Sequence, residues 1–227
     1  MNPKSSMKSG CLLVSATAFL FTTSIRADTP GFVLGSVSTN QPESFTGTKG
    51  WQFGPHGDIL ITQLGVFDSD GDGLVNPHPV GLWRDDPGNL TGTLLASATV
   101  LAGTDSPLMG GYRWVSISPV SLHLDLAYYV IAAQYSAGDA DDLVTPRPSG
   151  NPFQFAPAIG VFLGSGRVGF GSDLPYPGAN TGGPCEGCPG RLFFEPNLQY
   201  SIVPEPSSWL LLAPGLLYLF LRRLKHC

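Results

Sequence analysis

Charge is scarce in this chain, and basic charge is scarcest in its long central part. Only 13% of the 227 residues are charged. Between residues 28 and 203 there are six lysines and arginines against sixteen aspartates and glutamates, a net charge of −10. Because an acidic body repels phosphate, the composition argues against a nucleic-acid partner and is compatible with cations or neutral ligands.

Recognisable catalytic patterns are also missing. The sequence contains no G-x-S-x-G, no HExxH and no phosphate-binding glycine loop. Carboxylates are plentiful, but spacing alone assigns no acid–base pair, so a polysaccharide hydrolase stays open only as an alternative. We therefore expect a protein that is not an enzyme.

Helix-forming stretches are few because helix-breaking residues are abundant. The chain has 29 glycines and 21 prolines, about 22% of its residues, which is nearly twice their average usage. Its hydrophobic content of 42% is still enough for a buried core. Short β-rich segments separated by Gly, Pro and Asp turns predict an all-β domain over residues 28–202, an antiparallel β-sandwich or jelly roll.

The expected strands follow one another along this domain. They cover residues 58–67, 78–83, 92–100, 112–117, 120–126, 128–135, 158–164, 167–170 and 191–203. Residues 120–126 alternate with a period of two, which would place Val120, Leu122, Leu124 and Leu126 on one face. Residues 128–135 are mostly apolar, as in a strand that is buried on both sides.

The first 27 residues have the pattern of a secretory signal peptide, which would form a signal helix. Lys4 and Lys8 precede an apolar stretch at 11–21, and Ala27 is a small residue suited to cleavage before Asp28. The alternative is a membrane anchor that is retained. The pattern predicts an exported protein.

The segment 203–227 joins a Pro-Glu-Pro triplet to a short apolar run and a basic end. The run Trp209–Leu221 has 13 residues and contains Pro214 and Gly215. As a helix it would span roughly 20 Å, whereas a bilayer core is about 30 Å thick. We therefore predict a short membrane helix that is held transiently, with an ordinary tail anchor as the alternative.

This tail resembles the PEP-CTERM sorting signal of bacterial exported proteins. The residues that match its pattern are Val203, Pro204, Glu205, Pro206, Arg222 and Arg223. The resemblance implies that an exosortase-type membrane protease-transpeptidase processes the tail during export. It further implies a transient inner-membrane intermediate, followed by delivery to the cell-envelope surface or to an extracellular, exopolysaccharide matrix.

A second resemblance covers most of residues 45–140. Six segments are similar to a β-sandwich domain of unknown function common in PEP-CTERM proteins: GWQF at 50–53, LGVFDSDGDGL at 64–74, VGLW at 80–83, TLLASATV at 93–100, GGYRWVSISPVSL at 110–122 and YYVIAAQY at 128–135. One departure is the stretch LDLAYYV, where that family usually has a glycine before its tyrosine. The resemblance implies an architecture but no activity.

The sharpest candidate site in the body is an Asp-rich loop that resembles the start of a calcium loop. Its candidate ligands are Asp68, Asp70, Asp72, the carbonyl of Leu74 and Asn76. Pro79 stands where an EF-hand needs a bidentate glutamate, so only a partial calcium loop is predicted. The alternative is a hairpin connection between 58–67 and 78–83, because Asp and Gly suit turns.

Two further clusters contain groups that could bind or react. Cys185 and Cys188 form a C-x-x-C in a Gly/Pro loop, and an exported protein would hold them as a local disulfide; free thiols, or a metal or redox role, are the alternatives. The acidic group Asp139, Asp141 and Asp142 is interpreted as a solvated turn, with partial calcium ligation as its alternative.

Aromatic side chains could stack on sugars. The candidates are Trp51, Trp83, Trp114, Phe153, Phe155 and Tyr176. Strand positions suggest that Trp83 and Trp114 belong to the core, whereas Phe153 and Phe155 are expected in a loop and are better ligand candidates. The sequence thus predicts an exported, non-catalytic surface or matrix protein, and the alternative is a calcium-assisted carbohydrate-binding module.

Overall fold

A computed structural model describes residues 28–34, 46–86, 91–124, 128–141, 153–180, 193 and 195–203. Within these ranges the backbone alone is described at 34, 153, 161–165 and 180. Every regular element in this part of the chain is a strand, and it contains no helix with the length and hydrophobicity needed to cross a bilayer. The signal segment 1–27, both cysteines of the C-x-x-C and the tail from Pro204 onward lie outside the described residues.

The strands form two antiparallel sheets and one short antiparallel pair. Their bounds are β1 Thr29–Pro30, β2 Phe32–Leu34, β3 Gly47–Pro55, β4 Ile59–Phe67, β5 His78–Asp86, β6 Thr91–Val100, β7 Leu108–Met109, β8 Tyr112–Leu122, β9 Tyr128–Tyr135, β10 Phe153–Phe155, β11 Ile159–Phe170, β12 Ala179–Asn180 and β13 Pro196–Ile202. The first sheet has the order β1-β13-β4-β8-β7, the second has the order β12-β11-β3-β9-β5-β6, and β10 pairs with β2.

The two sheets share one hydrophobic core, so the domain is a β-sandwich. Ile61 and Leu198 from the first sheet are fully buried in the same cluster as Leu82 from the second. The ring of Phe32 lies between the sheets, with its centroid 5.4 Å from that of Trp51 and 5.8 Å from that of Tyr112. The prediction of an all-β antiparallel fold is confirmed.

Strand β9 lies in the interior of the second sheet. It pairs with β3 on one side and β5 on the other, and Tyr129–Ala133 are all buried. The backbone of β9 also approaches Gly50 of β3 closely, since a Cβ added at Gly50 would lie 1.8 Å from the carbonyl oxygen of Ile131. The expectation of a strand buried on both sides is confirmed.

The expected strand over 120–126 is wrong in its extent. Residues 112–122 form the single strand β8, and Leu124 is 64% exposed and does not lie on a buried face. The reason is the length of the partner strand: β4 begins at Ile59, which pairs with Leu122, so the ladder has no further partner. Beyond it, the backbone N–H of Leu124 donates to a carboxylate oxygen of Asp58 at 3.2 Å.

The Asp-rich loop is not a hairpin connection. The strand before it, β4, pairs with β13 and β8 in the first sheet, whereas the strand after it, β5, pairs with β6 and β9 in the second. Residues 68–77 therefore cross from one sheet to the other at one end of the sandwich. Asp and Gly suit such a crossover for the same reason that they suit a hairpin, because both tolerate tight turns.

The described chain begins and ends near the opposite end of the sandwich. Thr29 of β1 pairs with Tyr200 of β13, and Ile202 at the end of β13 pairs with Ile59 at the start of β4. We call this end the tail end. The loops 68–77 and 136–141 form the other end, which we call the acidic end; the nine residues of β4, at roughly 3.3 Å each, separate the two by about 30 Å.

Candidate metal centre at the acidic end

Asp68 is a buried side chain around which the crossover loop folds. One of its carboxylate oxygens, Oδ1, accepts the N–H of Gly71 at 2.9 Å, and the other, Oδ2, accepts the N–H of Gly73 at 3.2 Å. Both glycines have positive φ angles, 76° and 119°, that L side chains rarely adopt. The Asp-Gly alternation thus lets the backbone turn back onto the Asp68 carboxylate.

The positive charge facing this carboxylate belongs to Arg113 of β8. Its Nε donates to Asp68 Oδ2 at 2.7 Å, and both side chains are buried. The same guanidinium donates to the carbonyls of Gly71 at 2.9 Å, Ser106 at 3.1 Å and Thr104 at 3.2 Å. Arg113 therefore holds two loops together from the inner side of the Asp-rich loop.

Asp70 and Asp72 lie on the outer side of the same loop and are exposed. One oxygen from each of Asp68, Asp70 and Asp72 lies within 4.8 Å of the other two, so the structure does bring the three predicted carboxylates together. A hydrogen bond with the Asp70 carboxylate, together with its negative charge, raises the pKa of Asp72. The arrangement offers hard oxygen donors to a cation from solvent.

The other two predicted calcium ligands have different partners. The carbonyl of Leu74 accepts the N–H of Gly103 at 2.7 Å in an isolated β-bridge. Asn76 is exposed, and its backbone N–H lies 3.4 Å from Oδ2 of Asp141. The structure therefore groups the three aspartates but turns the Leu74 carbonyl toward the backbone, and calcium binding stays a prediction.

A second cluster at the acidic end centres on His78, the first residue of β5. Its ring is fully buried, and its Nδ1 donates to the carbonyl of Gln134 at 2.9 Å. Its Nε2 lies 3.2 Å from Oδ2 of Asp141 and 4.0 Å from Oδ2 of Asp139. Burial lowers the pKa of His78, but the hydrogen bonds to Asp141 and Gln134 and the two carboxylate charges outweigh it and raise the pKa overall.

Asp141 connects this cluster to the crossover loop. Its Oδ2 accepts the N–H of Val75 at 2.7 Å as well as facing His78. Asp139 is buried, and its Oδ1 accepts the N–H of Asp141 at 3.2 Å. The interpretation of this acidic group as a solvated turn is wrong for Asp139, because its side chain is directed at a buried imidazole; Asp142 lies outside the described residues.

The aromatic candidates for sugar stacking are mostly core residues. Trp51, Trp83 and Trp114 are buried, and the indole N–H groups of Trp51 and Trp114 donate to backbone carbonyls. The expectation that 153–155 is a loop is wrong, since β10 pairs with β2 and Phe155 packs against the core. The hydroxyl of Tyr176 donates to the buried carboxylate of Asp85.

The predicted sorting motif begins at Val203, the last described residue of the body. Val203 follows β13, and its N–H donates to the carbonyl of Asp58 at 3.2 Å. The remaining motif residues lie outside the described residues, as does the predicted disulfide pair. These are Pro204, Glu205, Pro206, Arg222, Arg223, Cys185 and Cys188.

Comparisons of the chain with protein-family models, with curated proteins and with solved structures found no match in any of the three.

Proposed function

We propose that the chain is an exported, non-catalytic surface or matrix protein, delivered by its PEP-CTERM-like tail and presenting its acidic end away from that tail. One observation carries this proposal: the acidic loops and the start of the tail lie at opposite ends of the sandwich, about 30 Å apart. A domain that is bound at residue 203, by the membrane or by the processing enzyme, would therefore expose loops 68–77 and 136–141 at its far end.

The position of the motif relative to the fold supports processing by an exosortase-type enzyme. Strand β13 ends at Ile202, so the Val-Pro-Glu-Pro sequence begins directly after the last described strand. Because β13 ends before Val203, cleavage after Val203 would leave intact every strand of the two sheets that the structure describes, including β13 with its partners β1 and β4. The helix expected at 209–221 would hold this junction at the membrane during the reaction.

The strand order supports the jelly-roll form of the sandwich. One sheet contains β1-β13-β4-β8 and the other contains β3-β9-β5-β6, so these eight strands alternate between the sheets along the chain except at β5 and β6, which are neighbours in one sheet. Strands β11 and β12 extend the second sheet at its β3 edge. This form places several loops at each end of the sandwich, and the acidic end is one such loop set.

The use of buried charge supports a scaffold role. Asp68 with Arg113 joins two loops, and Asp85 with Arg167 and Tyr176 fixes residues 171–178 over the outer face of the second sheet. Each of these buried charges is bonded to a neighbour of opposite charge or to backbone. Buried ionic groups that are paired in this way hold loops in place.

Calcium is the proposed ligand of the exposed carboxylates of the Asp-rich loop. Asp70 and Asp72 repel one another as anions, and a divalent cation between them would remove that repulsion. Extracellular calcium modules bind with dissociation constants on the order of 10⁻⁴–10⁻³ M, which suits a site with few protein ligands.

The experiment that tests the function follows the full-length chain in a bacterium that encodes an exosortase. We expect the mature protein, recovered from the surface or medium, to lack residues 1–27 and the tail by intact mass. A Pro204→Ala, Glu205→Gln variant should keep the tail and stay with the inner membrane, and a host without the exosortase gene should give the same result for the native chain. Recovery of the native chain from the cytosol with both ends uncut would contradict the proposal.

A further inference from the structure

We propose that His78, Asp139 and Asp141 form a binding site for a divalent transition-metal ion of the zinc class. The site is separate from the exposed carboxylates of the Asp-rich loop and is independent of how the chain is exported. It combines one imidazole nitrogen with two carboxylate oxygens, and one ligand atom from each residue lies within 4.8 Å of the others.

The hydrogen bonding of His78 directs one ring nitrogen at the two carboxylates. Since its Nδ1 faces a carbonyl oxygen, which can only accept, that nitrogen carries the proton. In a neutral ring Nε2 then presents a lone pair toward Asp139 and Asp141. A metal-binding histidine is held in this way, with its second nitrogen donating to a backbone carbonyl or carboxylate.

The distances fit a metal of this size after a small adjustment. Zinc bonds of about 2.0–2.2 Å to nitrogen and oxygen give donor–donor separations of roughly 3.3 Å in a tetrahedral site. Nε2 is 3.2 Å from the Asp141 oxygen and 4.0 Å from the Asp139 oxygen. Closing the second distance by less than an ångström would bring both carboxylate oxygens to this separation from Nε2.

An imbalance of buried charge is the second observation that indicates a ligand. The side chain of Asp139 is 1% exposed, and its Oδ2 lies 4.0 Å from Nε2 of His78, which is beyond hydrogen-bond length. Two carboxylates therefore face a single imidazole. A protonated ring would leave one net negative charge in the interior, whereas a divalent ion with a neutral ring leaves none.

The donor set selects the class of ion. Imidazole nitrogen suits zinc and its transition-metal neighbours, while calcium prefers oxygen donors alone. Asp141 is 10% exposed and forms the side of the cluster open to solvent. Three protein ligands would leave a further coordination position for water or for a group from outside.

The test uses the full-length chain, stripped of metal with a chelator and titrated with Zn²⁺ or Ca²⁺ by calorimetry. We expect one equivalent of Zn²⁺ to bind and the affinity to fall at least 10-fold in His78→Gln and in Asp139→Asn. The matched control is His123→Gln: His123 also pairs with an aspartate, Asp58 at 3.3 Å, but it is 65% exposed and lies at the tail end. That control should bind Zn²⁺ with unchanged affinity.

Three results would overturn the site. They are no binding of Zn²⁺ by the native chain, unchanged affinity in both variants, and loss of Zn²⁺ binding in Asp72→Asn with retention in His78→Gln. Because His78 is buried, each variant is first checked for its β-sheet circular dichroism. Should neither variant fold, Co²⁺ added to the native chain decides: visible absorption bands of one nitrogen-ligated Co²⁺ support the site, and their absence refutes it.

Discussion

Replacing Arg113 with methionine should strongly destabilise the domain while leaving its core packing in place. The guanidinium is the positive partner of the buried Asp68 carboxylate, at 2.7 Å, and it also donates to three backbone carbonyls in two loops. Methionine approximates the aliphatic part of the side chain but makes none of these bonds. The variant therefore isolates the contribution of the charge and its hydrogen bonds.

The expected loss is about 3–5 kcal/mol, because removing one partner of a buried ion pair leaves the other charge without compensation. Single domains are stable by only about 5–15 kcal/mol, so the loss is at least about a fifth of the total free energy of unfolding. In the double variant Arg113→Met, Asp68→Asn, the free energy of unfolding should fall by less than the sum of the decreases in the two single variants. The reason is that the double variant no longer contains an isolated buried charge.

Equilibrium unfolding in urea, followed by tryptophan fluorescence, measures these free energies. The control is Arg84→Met, which changes an exposed arginine on β5 in the same chemical way. Because a polar interaction of an exposed side chain contributes little, this change should alter the free energy of unfolding by less than about 1 kcal/mol. A loss below about 1 kcal/mol for Arg113→Met, or strict additivity in the double variant, would refute the assignment of Arg113 as the internal cation of the loop.

Three other substitutions test the fold and the loop. Gly50→Ala should fail to fold or lower the free energy of unfolding by more than about 3 kcal/mol, because its Cβ would collide with the Ile131 carbonyl. In the control, Gly57→Ala, the added Cβ meets no atom within 4 Å and should be tolerated. Chemical unfolding compares the two variants. Tyr176→Phe removes a hydrogen bond to a buried carboxylate and should cost about 1–2 kcal/mol in the same assay, while equal stability would contradict the bond. In the native chain, 10 mM calcium should raise the melting temperature, because a ligand at tenfold its dissociation constant stabilises the folded state by about 1.4 kcal/mol. Asp72→Asn should abolish this rise. An equal rise in the variant and the native chain would exclude the Asp72 carboxylate as a ligand.

The strands were predictable wherever a local pattern coincides with burial. The apolar run at 128–135 and the β-rich segments 58–67 and 92–100 correspond to β9, β4 and β6. The error at Leu124 has a physical cause that periodicity does not contain: a strand continues only as far as its partner, and β4 begins at Ile59. The short strands β1 and β10 depend on pairing with distant strands, so no local signal marks them.

The candidate site was predictable in part, for the same reason. Asp68, Asp70 and Asp72 are close in sequence, so their grouping follows from local turn chemistry. His78 and Asp141 are separated by 63 residues and meet because the first residue of β5 faces the loop that follows β9. The only local hint was the excess of acidic residues near 139–142, which says nothing about a buried imidazole.

Asp141 makes the acidic end a single unit with two connected parts. Its Oδ2 accepts the N–H of Val75 in the crossover loop and also faces Nε2 of His78. An ion bound at His78 would compete for this oxygen and draw the carboxylate away from the loop backbone, whereas an empty site leaves it bonded to Val75. Occupancy of the buried site should therefore alter the conformation of residues 75–76 and, through them, the affinity of the exposed aspartates for calcium. Because such coupling is reciprocal, calcium at the exposed aspartates must change the affinity of the buried site for its metal ion by the same factor.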